Sequence, residues 1–422
     1  MSFDPHAFAE YLASLERFKQ DGNLLYEWTS THWNVLSDDD AERMAYRWLV
    51  VNQREYATAK NAASAVASAK HWCEPLGGLT SEMVVPCTNG YVEIKNGELH
   101  LRDADPAMGV RHVLSCEFGS SVESATRFKR FIEKVLPDPE IRSRLQEYIG
   151  YTLTSDARHQ RAQFWLGSGA NGKGVLANVV QALHARPEAV RLDELDGFGM
   201  SALIGASLIY ADEVPQGGIQ EQILKSAIAG ERIYVNRKYK EPVSARIRGK
   251  WLVLGNHLPT IRDHSVGFWR RWDVVPFNVT IDESNRDPLL AEYIIGHELA
   301  GVLGWALEGL VRLQRRGCFD PVIPPAMAEL IHEVKAESNA VQAWCNECEI
   351  RKIAGMQTLK SDVYSHFELW CERNGRRADG GSTFWKKLKA ILNLDSELPR
   401  ARVGGKHVRF CEVALSGEGC AE

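Results

Sequence analysis

The chain has 422 residues, 45% hydrophobic and 25% charged, a mixture that excludes a disordered tail, a fibrous repeat and a small disulfide scaffold. Fifty basic residues against 55 acidic give a formal charge of −5, which argues against a protein coated in nucleic acid over its whole surface. At about 150 residues per domain, the length fits roughly three domains. Nine cysteines without a repeated spacing fit a reducing cytoplasm better than a disulfide framework. The start of the chain lacks a signal-peptide pattern, and no stretch approaches ~18 uncharged apolar residues. A soluble cytoplasmic protein without a membrane partner is expected.

Residues 1–78 read as a helical N-terminal region, with apolar positions at Met44, Trp48, Leu49 and Val66. Asp38, Asp39 and Asp40 stand just ahead of that run. Paired acids can chelate a metal, but no histidine or strand context supports one, so an acidic helix start is the better reading. Residues 79–158 change texture. VVPCTNGYVEIKNGELHLRD alternates apolar and polar residues around Asn89-Gly90 and Asn96-Gly97, the pattern of a hairpin or meander. Helical spacing then returns from Ser121 to Leu153, interrupted by Pro137-Asp138-Pro139. Residues 159–320 alternate strands and helices, an α/β pattern, and residues 289–315 read as one apolar helix. Residues 321–422 read as a linker helix followed by a small domain.

Four segments of the α/β part carry chemistry. An apolar run, Gln163 to Leu166, leads into Gly167-Ser168-Gly169-Ala170-Asn171-Gly172-Lys173-Gly174-Val175. Glycines let backbone N–H groups turn onto phosphate oxygens, a lysine meets the β/γ charge, and a helix N-terminus faces the anion. The position after Lys173 is Ser or Thr in the usual pattern, where its hydroxyl ligates Mg²⁺; here it is Gly174. A second strand, Ser207 to Ala211, ends in Asp212 and Glu213. A third ends in Asn256, a polar tip that can hold a lytic water beside a γ-phosphate. Arg270 and Arg271 precede a fourth strand, and an arginine fork suits transition-state phosphate charge. Taken singly, each has an ordinary alternative: a Gly-rich turn, a solvated strand end, a salt-bridged arginine pair.

Together, GSGANGKG, LIYADE, AGERIYVNRKYKEP, KWLVLGNHLP and GFWRRWDVVPF resemble the superfamily-three helicases, specifically the helicase half of phage, plasmid and poxvirus primase–helicases. VPCTNGYVEIKNGELHLRD and LQEYIGYTLT are similar to the pre-domain ahead of that motor, so the resemblance covers roughly residues 80–400. It implies an AAA+-like phosphate-loop motor with a helical/β pre-domain, working as a homo-oligomeric ring, usually a hexamer, on single-stranded DNA. By the same resemblance Lys173 is the phosphate lysine, Asp212 the Mg²⁺ ligand and Glu213 the catalytic base. Asn256 is the γ-phosphate sensor, and Arg271, with Arg270 beside it, is the finger reaching a neighbouring subunit. ATP and Mg²⁺ are the implied cofactors. Gly174 departs from the pattern and removes one protein hydroxyl from Mg²⁺.

Two basic segments stand out from the acidic average. Residues 232–250 hold seven basic residues and one acid; in the resembling family this stretch forms a hairpin in the ring channel. Arg237, Lys238 and Lys240 suit phosphate tracking and Tyr239 suits base stacking. Residues 351–410 hold 13 basic and six acidic residues. A helix, a second helix carrying Lys386, Lys387 and Lys389, and a hairpin containing Lys406 read as a winged-helix domain. Cys345, Cys348, His366 and Cys371 lack the two tight doublets of a structural zinc site, so buried thiols are expected. The resulting expectation is an ATP-dependent helicase of a phage, plasmid or other mobile element, acting on single-stranded and forked DNA in a bacterial host, with priming left to a separate chain. The alternative is a replication initiator or assembly factor that uses ATP binding only to close a ring.

Overall fold

A computed structural model describes residues 3–415 apart from 80–82, 120–124, 196, 216–217, 239, 260, 262–265, 339, 375–377, 396–399 and 404–405. The N-terminal region departs from the all-helical expectation. Helix α1 (His6–Ser14) is followed by an antiparallel meander of β1 (Phe18–Asp21), β2 (Leu24–Trp28) and β3 (Trp33–Leu36), and only then by α2 (Asp38–Asn52) and α3 (Ala59–Trp72). The cause is a two-residue turn: Gly22 and Asn23 take φ of +61° and +67°, and Asp21 pairs with Leu24 across them, the left-handed geometry that closes a hairpin. Ser37 caps α2 by accepting from the Asp40 N–H at 3.1 Å, and the three aspartates fill its first turn, where the helix dipole favours them.

The expected meander follows as β4 (Val84–Cys87), β5 (Gly90–Lys95) and β6 (Glu98–Arg102). Helices α4 (Thr126–Val135) and α5 (Pro139–Thr152) come next. Asp138 caps α5 through the Glu140 and Ile141 N–H groups.

The central α/β part consists of β7 (Ala162–Leu166), α6 (Lys173–Ala182), β8 (Pro187–Ala189), β9 (Leu208–Ala211), α7 (Glu221–Ile228), the hairpin β10 (Arg232–Arg237) and β11 (Lys240–Arg246), β12 (Lys250–Gly255), α8 (Val266–Trp269) and β13 (Trp272–Pro276). Five strands form one parallel sheet in the order β13-β7-β12-β9-β8. Strand β12 thus separates the strand before the glycine-lysine loop from the strand before the two acids. Parallel strands covered on both faces are buried along their length, as β12 and β13 are, with Lys250 and Asp273 the polar exceptions at their amino ends.

Where one apolar helix was expected over 289–315, the structure has α9 (Leu290–His297) and α10 (Leu299–Arg316), bent by 79°. The break falls at Glu298, whose buried carboxylate accepts the Arg127 and Phe128 N–H groups at 3.0 and 2.9 Å. It caps α4 from about 170 residues away in sequence. No single helix among the described residues is long and apolar enough to cross a membrane; the middle of α10 is buried, packed in the main core with α5.

The amino ends of the sheet strands enclose polar groups. Arg144 donates two bonds to Asp273 at 2.9 and 3.0 Å, and Arg161 adds a third at 3.2 Å. The Ser155 hydroxyl meets His112 Nδ1 at 2.7 Å, and His112 Nε2 meets the Leu153 carbonyl at 3.1 Å. Lys250 donates to the Thr154 carbonyl at 2.9 Å.

The chain divides into two units inside α11 (Pro325–Ser338), between Met327 and Ala328. The second unit has α12 (Ala340–Glu347), β14 (Arg351–Lys352), β15 (Thr358–Leu359), α13 (Lys360–Arg373), α14 (Gly381–Leu392), β16 (Arg400–Val403), β17 (Lys406–Cys411) and β18 (Val413–Ala414). Its sheet runs β15-β17-β16, antiparallel. Trp344, Phe367, Phe384 and the buried thiols Cys345 and Cys371 form its core, and burial pushes the Cys345 thiol up to about 12.

Candidate nucleotide site and nucleic-acid interface

The loop after β7 is shaped by its backbone. Gly172 takes φ +83° at the start of α6, and a Cβ there would stand 2.7 Å from Val135 and 3.0 Å from Phe131, so α4 seats the loop from below. The Gly167 N–H donates to the Gly255 carbonyl at 3.2 Å, joining the loop to the tip of β12. Asn171 Nδ2 donates to the Phe277 carbonyl at 3.0 Å, and the Ile281 N–H donates to the Ala170 carbonyl at 2.8 Å. Ser168, Gly169 and Ala170 remain exposed at the crest, while Val175 is half-buried.

Lys173 is the first residue of α6. Its ammonium donates to the Gly167 carbonyl at 2.5 Å and to Asn171 Oδ1 at 3.1 Å. Those partners are neutral, and burial holds its pKa below the ordinary lysine range. A buried ammonium bonded to neutral oxygens at a helix N-terminus fits a phosphate.

Asp212 and Glu213 directly follow β9, and Asn256 directly follows β12; all three are exposed. Because β7, β12 and β9 are parallel neighbours, the loop, Asn256 and the acids share the carboxyl edge of the sheet, where ligands of α/β folds bind. Burial, and then the Glu213 carboxylate beside it, raise the Asp212 pKa; a divalent cation would relieve that repulsion. The space at Gly174 is open: a Cβ there would meet nothing within 4 Å.

Arg270 and Arg271 lie elsewhere. They precede β13, at the amino edge of the sheet, roughly 15–20 Å from the loop at ~3.3 Å per strand residue. Arg270 donates to Gln160 at 2.9 Å, and Arg271 to the Gly267 carbonyl. The structure does not bring them to this chain's own loop.

The basic hairpin forms, and its cations are engaged within the chain. Arg237 pairs with Asp38 at 2.7 Å, and Lys240 with Asp39 at 2.8 Å; Lys238 is exposed. Tyr239 lies outside the described residues. In the second unit, Lys386 and Lys389 of α14 line an open groove with Lys360 and Arg409. Lys360 and Arg409 escaped the sequence reading. Burial, then the charges of Arg409 and Lys389, lower the Lys360 pKa, a crowding that an anion would relieve. Lys387 pairs instead with Asp379 at 2.8 Å, and the Lys406 side chain lies outside the described residues.

Comparison with known proteins places this edge in context. The profile of a family of unknown function, DUF5906, matches residues 165–271, from the loop strand to the arginine pair. A 177-residue stretch is 26% identical to "Putative helicase L207/L206" of Acanthamoeba polyphaga mimivirus, covering 38% of this chain and 18% of that protein. A 291-residue stretch is 21% identical to "Putative helicase 121R" of Invertebrate iridescent virus 3, covering 59% of this chain and 30% of that protein. The chain spans less than a third of the length of either relative. Among solved structures, the A form apo structure of the NrS-1 C terminal region aligns over 98% of this chain and 100% of that chain, with a TM-score of 0.53 at 12% identity, a likeness of fold.

Proposed function

We propose that the protein is an ATP-driven helicase that translocates on single-stranded DNA as a ring, a hexamer by resemblance, in the replication of a virus, plasmid or related mobile element. One observation carries this reading: the phosphate loop, Asn256 and the Asp212–Glu213 pair stand on adjacent parallel strands at one sheet edge. The two relatives named as helicases support it, and their viral origin supports the setting in a host cytoplasm. Residues 79–158 then form a pre-domain and 159–320 the motor. Residues 321–422 form a linker with a winged-helix DNA-binding domain.

ATP supplies the phosphoanhydride and Mg²⁺ the charge that neutralises its phosphates. Within this reading Lys173 leaves its internal carbonyl partners for the β/γ oxygens, and the N–H groups of 168–174 hold the remaining charge. Asp212 holds the cation, Glu213 orients water and takes its proton, and Asn256 fixes that water's position. Arg271 acts on a neighbouring subunit, which suits its place at the far edge of the sheet. Forked DNA is the substrate, gripped by the 237–240 hairpin and by the Lys360–Lys386–Lys389–Arg409 groove; a separate chain primes synthesis.

Gly174 favours a second reading, in which weak Mg²⁺ retention leaves ATP binding to close a ring without turnover. Strand displacement on a forked duplex separates the two. The helicase reading expects ATP-dependent displacement that Lys173→Ala abolishes; DNA binding and ring formation without displacement would replace it with the assembly reading.

A further inference from the structure

The aspartates opening α2 do more than start a helix. Asp38 lies 2.7 Å from Lys70 of α3 and 2.7 Å from Arg237 at the hairpin tip, and Lys240 lies 3.5 Å from Asp38 and 2.8 Å from Asp39. The Asp38–Arg237 pair is not a solvated surface contact: its side chains are only 9% and 13% exposed, while Asp39 and Lys240 pair at the solvent-facing rim. The other nitrogens of Arg237 donate to the Glu241 carbonyl at 2.8 and 3.0 Å, which aims the guanidinium at Asp38. At the hairpin base Asp21 pairs with Arg232. Midway, a Cβ on Gly22 would stand 2.1 Å from the Ser244 carbonyl oxygen, so the β1–β2 turn lies directly on β11. The N-terminal region thus holds the hairpin at its base, its middle and its tip.

Burial acts to raise the Asp38 pKa, but Lys70, Arg237 and Lys240 outweigh it and hold the carboxyl below its ordinary range. Asp38 is therefore ionised at neutral pH. Its chemistry is that of a phosphate backbone on the same side chains: successive anions set against an arginine fork and a lysine. Lys70 belongs to the N-terminal region and stays with Asp38 if the hairpin departs. Opening then leaves no unpaired buried carboxylate, the usual large cost of breaking such a pair.

We propose that the acidic start of α2 is a built-in competitor for DNA: Asp38 and Asp39 occupy the phosphate positions of the hairpin, which engages a strand only when they are displaced. This rests on the reading of the hairpin as a DNA-contacting element.

The test is fluorescence anisotropy of the full chain on labelled oligo(dT) without nucleotide, with melting curves for every variant. Asp38→Asn/Asp39→Asn is expected to bind about tenfold tighter than the parent. Arg237→Ala/Lys240→Ala is expected to bind several-fold weaker, and the four-site combination to match that weak value. Asp40→Asn is the charge control, because its carboxylate faces Arg43 and Ser37 rather than the hairpin; it is expected to stay within about twofold of the parent. An equal gain in this control overturns the proposal, since a general charge effect then explains everything. No gain, or weaker binding, in the Asp38/Asp39 variant overturns it while the hairpin reading stands, provided the alanine pair binds weakly. Unchanged binding by the alanine pair removes the hairpin reading and the proposal with it. If Asp38→Asn proves unstable, the exposed Asp39→Asn alone decides: a two- to threefold gain is expected, and none overturns the proposal.

Discussion

The two edges of the central sheet are made of the same residue types and are used in opposite ways. At the carboxyl edge Asp212, Glu213 and Asn256 ride exposed on strand tips, and Lys173 at the start of α6 bonds neutral oxygens. At the amino edge Arg144 and Arg161 both bond the buried Asp273, and His112 and Lys250 are bonded to serine and backbone groups. Polar groups at the first edge keep bonding capacity in reserve, as a ligand site requires. Polar groups at the second edge, which join α5 to the sheet, use theirs within the chain. Substitution at the first edge should cost turnover and spare stability; at the second it should do the reverse.

The largest expected effect is at the carboxyl edge. Glu213→Gln keeps shape and exposure but cannot take a proton, so phosphate release in the presence of single-stranded DNA should fall by about 10²–10⁴. Its unfolding free energy should stay within about 0.5 kcal/mol of the parent. A matching loss of stability would break the contrast, as would a variant that still turns over normally.

At the amino edge Arg144→Ala removes the two-pronged partner of Asp273 and leaves Arg161 as its remaining cation. Truncating one side of a buried pair costs about 3 kcal/mol or more, and chemical denaturation should record that loss. Nucleotide binding by the folded fraction, measured by calorimetry, should be unchanged.

A smaller effect at the same edge is a pH dependence. Burial lowers His112 and His184 to about 3, against an ordinary value near 6.5 in the unfolded chain. Between pH 6.5 and 3 the unfolded chain binds more protons, so stability falls as the pH is lowered through that window. Above pH 6.5 the two histidines contribute no slope. His112→Asn should lose some stability at pH 7.5, yet its melting temperature should decline less than the parent's between pH 7 and pH 5. Parallel declines would mean that other groups set the acid response.

The contrast also explains what could be read from the sequence. The carboxyl edge was legible because each of its features is local: a glycine-lysine loop, two acids at a strand end, an asparagine at a strand tip. What was missed depends on partners distant in sequence. The break in the apolar helix at Glu298 is set by the N–H groups of Arg127 and Phe128. The second role of Asp38 depends on Arg237, 199 residues away. Lys387 was grouped with Lys386 and Lys389 by sequence, but Asp379 turns it aside. The N-terminal meander was an exception, since Gly22-Asn23 is a local turn signal masked by the charged residues around it.

The smallest expected effect bears on the departure at Gly174. Two explanations compete: either the packing forbids a side chain there, or nothing in the packing demands a glycine. Gly174 has no positive φ, it follows Lys173 in the first turn of α6, and a Cβ would meet no atom within 4 Å. The packing therefore admits serine or threonine. Threonine pays a slight helix propensity penalty relative to alanine but gains over glycine, so stability should rise by a few tenths of a kcal/mol at most. If the carboxyl edge holds Mg²⁺ with Asp212, the added hydroxyl supplies the ligand that the loop lacks. The Mg²⁺ concentration for half-maximal ATPase activity should then fall several-fold in Gly174→Thr, with Asp212→Asn cancelling the gain. An unchanged Mg²⁺ dependence in a folded, active variant would place the cation away from the start of α6, and would separate the acids from the loop that the sheet order sets beside them.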